Sequence, residues 1–215
     1  GLGDVYKRQP RVKGDSKDAI LDAAFLLFSE KGYTATSVRD IASAIDIKAA
    51  SLYNHFKGKR EIFDALIKRE IEYVEESLHA EGAMAEPSDD PAAYAELSGH
   101  DIQELVWKSY MPFFESERIM RLRHMLAMSR YDDKRCAKLY VQIFIERPVL
   151  LQGSIFAHLV EIGQFEPCDA HLAATEFHGP MHMLMDAEAS AKEAERFCKA
   201  HVKSFNEAHM KEANE

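Results

Sequence analysis

Residues 36–59 read TSVRDIASAIDIKAASLYNHFKGK. Ser37 can cap a helix, and Asp40 three residues on can answer it, the reciprocal pair of a capping box. Val38, Ile41, Ala42 and Ile45 then recur at helical spacing and give that helix one apolar face. A turn falls at residues 44–47. A second helix is expected from Lys48 to about His55, burying Leu52 and Phe56. That leaves Ala49, Ala50, Ser51, Tyr53, Asn54 and His55 turned elsewhere. Small side chains allow close approach to a duplex, while hydroxyls, an amide and a ring N–H can donate to phosphates or base edges. Two helices on a short turn make a helix-turn-helix unit, whose second helix enters the major groove.

Upstream, a helix is expected from Ser16 to Lys31, capped by Asp15 or Ser16 and ended by Gly32, with Ile20, Ala23, Ala24, Leu27 and Phe28 as its buried stripe. Downstream, a long helix opens near Lys59, and Ile62, Phe63, Leu66, Ile67, Ile71, Val74 and Leu78 keep one apolar face for about five turns. Residues 81–100, rich in Ala, Pro, Ser, Asp and Gly, read as a loop. Beyond them the pattern is helical throughout, with helices expected at 101–114, 117–130 and 133–163, the last kinked by Pro148. A helix capped by Asp169 should run to Met185, interrupted at Gly179-Pro180, and a final one from Ser190 to Met210. The expected class is all-α.

The chain has 215 residues and a net charge of −9, which at first argues against a nucleic-acid partner. Its distribution reverses that reading: Lys and Arg outnumber Asp and Glu in residues 1–60, and the acidic excess lies in residues 61–215. Residues 1–14 are expected to be a disordered arm or a non-native leader. Cys136, Cys168 and Cys198 are too far apart for a metal motif, and a reducing, cytoplasmic setting fits them. No membrane span and no signal peptide is read from the sequence. His178 and His182, four residues apart, could offer two ligands to a metal. No carboxylate accompanies them at metallohydrolase spacing, so a polar role toward a ligand or at a dimer interface is favoured, and no metal or other cofactor is expected. Nucleophile elbow, P-loop and dinucleotide fingerprint are all missing, which leaves catalysis without support.

The segment resembles the DNA-binding region of TetR-family transcriptional regulators. The residues that carry the resemblance are Thr36, Ser37, Ile41, Ala42, Leu52, Tyr53, His55, Phe56 and Lys59, followed by Ile62 and Phe63. The chain departs from the pattern at Asp46, where the family has Gly in the turn, and at Lys48-Ala49-Ala50, where the family opens with Ser-x-Gly. Asp tolerates a left-handed backbone better than most residues. The resemblance implies a three-helix head over 15–60 and a helical effector-binding and dimerisation body over 61–215, joined by the long helix as a connecting rod. It implies a repressor that binds a pseudo-palindromic operator as a homodimer and is released by a small effector. Tyr53, His55 and Lys59 would then donate to phosphates, with Thr36 and Ser37 at a helix N-terminus suited to an anion. Arg39, Lys48, Ala49, Ser51 and Asn54 would read bases. Trp107, Met111, Met128, Tyr140 and Phe177 are nominated from the aromatic and methionine residues of the body as effector contacts. The rival readings are an activator or architectural factor of the same fold, and a helical metal-dependent enzyme.

Overall fold

The computed structural model describes residues 16–85, 87 and 99–211, and every regular element in them is helical. The expected leader, and most of the loop expected over 81–100, lie outside those residues. Helix α1 (Lys17–Lys31) starts where the Ser16 hydroxyl accepts the Ala19 amide at 3.2 Å, and ends at Gly32 with φ +84°. It buries more than the expected stripe. Leu21 and Phe25 are also covered, and Arg121 lies over the Phe25 ring at 5.8 Å.

Helix α2 (Val38–Ala44) opens with the expected capping box. The Asp40 amide donates to Ser37 Oγ at 3.2 Å, and Asp40 Oδ2 accepts the Ser37 amide at 2.7 Å. Asp46 takes φ +59° in the turn, the left-handed conformation that its short polar side chain tolerates. Helix α3 (Ala49–Leu52) is shorter than expected, because the chain tightens into turns through His55. The amides of His55 and Phe56 both return to Leu52 O, at 3.0 and 3.1 Å. Helix α4 (Lys59–Ala80) then runs 22 residues, roughly 33 Å at a rise of about 1.5 Å per residue.

The body holds α5 (Gly99–Tyr110), α6 (Pro112–Glu115), α7 (Glu117–Ser129), α8 (Lys134–Val141), α9 (Arg147–Glu161), α10 (Ala170–Asp186) and α11 (Ala191–His209). Between α8 and α9 the helix widens into a π-helical turn, Gln142–Glu146, just ahead of Pro148. Pro148 has no N–H for the carbonyl four residues back, Phe144 O, and that oxygen instead faces His178 Nε2 at 2.8 Å. The expected break at Gly179-Pro180 is corrected: α10 runs through both. The residue four back from Pro180, Glu176, lies on the exposed face, where water can take the orphaned carbonyl.

The 28-residue stretch Lys134–Glu161 contains an 18-residue window with a mean hydropathy of 1.3, so by length and composition alone it is long and apolar enough to cross a bilayer, which corrects the reading of no such segment. Here its apolar residues Tyr140, Ile143, Phe144, Val149, Ile155 and Phe156 face the core of the body. Phe156 packs there against Phe165, Phe177 and Phe205, with ring centroids at 5.5, 5.6 and 5.2 Å.

Two clusters among the contacts between head and body stand out. Phe28, Tyr33 and Phe63 meet as an aromatic knot, and Arg135 of α8 lies over the Tyr33 and Phe63 rings at 5.2 and 5.1 Å. Deeper in, Glu70 of α4 is 1% exposed. It takes both Arg118 Nε (2.6 Å) and Nη2 (3.0 Å), and Arg69 Nε at 2.9 Å. Arg69 reaches on to Asp22 of α1 at 2.8 Å, so one charged network ties α1 to α4 and α7.

Candidate functional site

The start of α2 and the end of α3 meet around an open groove of about 540 Å³, lined by residues 34–39 with Tyr53 and Lys59. Ser37 and Arg39 are exposed on one side, and Tyr53 (55% exposed) stands on the other. The N-terminus of α2 lines this groove, and there the Ser37 amide and hydroxyl both donate to Asp40 Oδ2, at 2.7 and 2.6 Å. Within the cap, the hydrogen bond from the Ser37 side chain holds the Asp40 carboxyl below its usual range, so the cap stays charged at neutral pH. Lys48, Ala50 and Asn54 are exposed and Ala49, Ser51 and His55 are half-buried, all outside the groove lining.

Two of the expected phosphate donors turn inward. The Thr36 side chain is buried, and its hydroxyl donates to Gly32 O at 2.9 Å and Leu27 O at 3.3 Å, fastening the end of α1 instead of facing solvent. The Lys59 ammonium donates to Tyr33 O (2.9 Å) and Thr34 O (3.3 Å) and sits 4.5 Å above the Tyr33 ring. Its partial burial lowers its pKa. Lys59 is thus a clamp on the 33–34 loop at the rim of the groove, and the Tyr33 amide is held from the body by Ser129 Oγ at 3.1 Å. Thr34, which also lines the groove, was missed by sequence reasoning; its signal was its place two residues before the Thr36–Ser37 helix start.

Inside the body, a mostly apolar cavity of about 140 Å³ lies between α4, α5, α9 and the π-helical turn. Its walls include Val74, Leu78, Phe113, Ile143, Phe144 and Met185, with Glu75, Ser109, Tyr110, Arg147 and Gln152 as polar members. None of the five nominated effector contacts lines it. Trp107 stacks on Phe114 at 6.1 Å. Tyr140 is buried and donates to Asp186 Oδ1 at 2.7 Å. Phe177 belongs to the Phe156 cluster, Met128 is exposed beside Gly32, and Met111 lines a separate open groove beside α6. Gln152 was missed although its register betrayed it, because Val149 three before and Ile155 three after are both core.

His178 is not available to a metal. Its Nε2 faces the Phe144 carbonyl and its Nδ1 the Tyr110 hydroxyl at 3.0 Å. Burial lowers its pKa to about 4 and pushes the Tyr110 phenol up, so both stay neutral near pH 7. Among the described residues no cluster of three metal-ligating side chains occurs.

The profile described as "Bacterial regulatory proteins, tetR family" matches residues 20–66, which span α1 through the first two turns of α4. The biofilm operon icaADBC HTH-type negative transcriptional regulator IcaR of Staphylococcus epidermidis is 31% identical over 173 residues. That match covers 80% of this chain and 74% of the relative. IcaR of Staphylococcus aureus strain Newman is 48% identical over 58 residues, 27% of this chain and 31% of that protein. The solved complex of triclosan with SmeT, a repressor from Stenotrophomonas maltophilia, superposes with a TM-score of 0.66 at 20% identity, over 92% of each chain, which shows the shared fold. With the groove, the long α4 and a relative aligned over most of both chains in place, the chain belongs to the TetR family of bacterial transcriptional regulators.

Proposed function

We propose that the protein is a homodimeric repressor that occupies a pseudo-palindromic operator in the cytoplasm and leaves it when a small molecule enters the cavity of the body. The observation that carries this reading is the course of α4. Its first residue, Lys59, clamps the loop at the rim of the groove, and Val74, Glu75 and Leu78 on the same helix line the cavity. Lys59 and Val74 are separated by roughly 22 Å of unbroken helix at about 1.5 Å per residue, so a tilt imposed at one end is delivered to the other. The related IcaR is a negative transcriptional regulator and SmeT is a repressor, which supports repression here.

In this reading Tyr53 holds a phosphate at the groove, while Ser37, whose amide and hydroxyl both donate to Asp40, shapes the α2 cap beside it. Arg39, Lys48, Ala49, Ser51 and Asn54 face base edges, and His55 supports the backbone contact beside them. Thr36 and Lys59 act indirectly, by fixing the loop that carries the groove. The exposed apolar residues Leu172 and Met183 on α10 and Phe197 on α11 supply the surface for a second copy. Two copies must then set their α3 helices about one DNA turn apart, roughly 34–36 Å. An effector that weakens operator affinity a hundredfold must prefer the released state by roughly 2.7 kcal/mol.

Selection of bound duplexes from a random pool, with the stoichiometry read by analytical ultracentrifugation, tests the proposal. It predicts an inverted repeat bound by two chains or a multiple of two. Recovery of no shared sequence, or one chain on a single half-site, would overturn it.

A further inference from the structure

A chain of hydrogen bonds on the cavity wall has only one possible direction. Phe144 O can only accept, so the His178 Nε2 that faces it must carry the proton. His178 Nδ1 is then an acceptor, and the Tyr110 hydroxyl at 3.0 Å donates to it. With its proton committed, the Tyr110 oxygen accepts from the Gln152 side-chain NH₂. This fixes the amide orientation of Gln152, which leaves its Oε1 as the free end of the chain. That oxygen is buried, belongs to a residue 3% exposed that lines the cavity, and has no hydrogen-bond partner. Leaving a buried acceptor unpaired is unfavourable, so this oxygen has hydrogen-bonding capacity to spare for a donor. At the cavity mouth Glu75 and Arg147 pair at 3.1 Å, offering no net charge to an incoming molecule.

Building on the effector reading above, we propose that this cavity takes an uncharged, ring-sized apolar molecule bearing one hydroxyl or N–H, which donates to Gln152 Oε1. The size follows from the volume: about 140 Å³ is close to the roughly 150 Å³ at which an apolar protein cavity accepts a benzene ring. The origin of the acceptor lies in the sequence. Pro148 withdraws a backbone donor, His178 replaces it, and the resulting directionality is carried through Tyr110 to Gln152.

Calorimetric titration of the full chain with phenol, benzene and anisole tests the proposal. Phenol has the donor, benzene has no polar group, and anisole can only accept. Wild-type protein should bind phenol at least tenfold tighter than either of the others, although phenol is the best hydrated of the three. In Gln152→Met the phenol-to-benzene ratio should fall at least tenfold. Gln152→Asn keeps the amide but withdraws its oxygen by one methylene, so it should show the same fall, and it decides the question if the Met variant does not fold. Equal affinity for phenol and benzene, no binding of any probe, or a ratio unchanged by both variants would each overturn the site. Release of an operator duplex, measured in parallel, separates this claim from the one beneath it. Gln152-dependent phenol binding without release would keep the site and refute its effector role. Release that ignores Gln152 would do the reverse.

Discussion

Arg118→Met probes the joint between head and body most sharply. Glu70 is 1% exposed and takes two hydrogen bonds from Arg118, at 2.6 and 3.0 Å, plus one from Arg69 at 2.9 Å. The Arg118 side chain is 37% exposed, so its charge loses less hydration in the folded state than the carboxylate does. Removing Arg118 therefore strands an anion, and breaking a buried pair in that way costs about 3–5 kcal/mol. Because Arg69 stays, we expect the lower end, about 3 kcal/mol. At about 2–4 °C per kcal/mol for a chain of this size, Tm should fall by roughly 6–12 °C. The double variant Glu70→Met with Arg118→Met removes the stranded charge and should recover to within about 1 kcal/mol of wild type. As a control, Arg60→Met loses a pair with Asp64 whose side chains are 67% and 56% exposed, and should change stability by less than about 0.5 kcal/mol. Urea unfolding and calorimetry read all three. A loss below about 1 kcal/mol for Arg118→Met, or a double variant no better than the single, would refute the reasoning.

Acid should destabilise the protein through His178. Its folded pKa of about 4 lies below the unfolded value of about 6.5, so the unfolded chain binds the extra proton between those limits. Stability should thus fall by about 3 kcal/mol as pH drops from roughly 6.5 to 4, and His178→Gln should flatten the urea-derived profile by close to one proton over that interval. Gly32→Ala forces a side chain to φ +84° at the end of α1 and should cost about 1–2 kcal/mol in urea unfolding. Tyr53→Phe should weaken binding to specific and random duplexes by the same factor, seen by fluorescence anisotropy, with Tm unchanged because the ring is 55% exposed. Lys59→Met should instead lower Tm and operator affinity together, since its ammonium holds the 33–34 loop.

The local rules could be read from the chain, and the long-range ones could not. Ser16, Ser37 and Asp169 cap helices where short-range signals put them, Ser190 caps the helix expected to start there, and Asp46 takes the left-handed turn. Those outcomes depend on residues three or four apart. Thr36 and Lys59 were misplaced because a hydroxyl or an ammonium can serve a carbonyl as well as a phosphate, and only the fold brings Gly32 O and Tyr33 O within reach. The break at Pro180 was misjudged because its cost depends on whether the orphaned carbonyl meets water. Every nominated pocket residue was chosen for chemistry without position, whereas the cavity is set by which turns of α4, α5 and α9 face one another. Glu70 and Gln152 were legible in principle. Glu70 sits four residues from both Leu66 and Val74 on the apolar stripe of α4, and a polar residue in a core register signals a buried partner or a ligand.

The central claim is that two heads are held at one DNA turn and change spacing when the cavity fills. Pulsed electron–electron resonance on the dimer measures it, with a spin label on Ser43→Cys, which is exposed on α2, and with the exposed Cys168 changed to Ser. On operator DNA the account predicts one narrow interprotomer distance set by the roughly 34–36 Å helical repeat, and a shifted distribution once the cavity ligand is added. A missing interprotomer signal, or the same distribution with and without ligand, would contradict it.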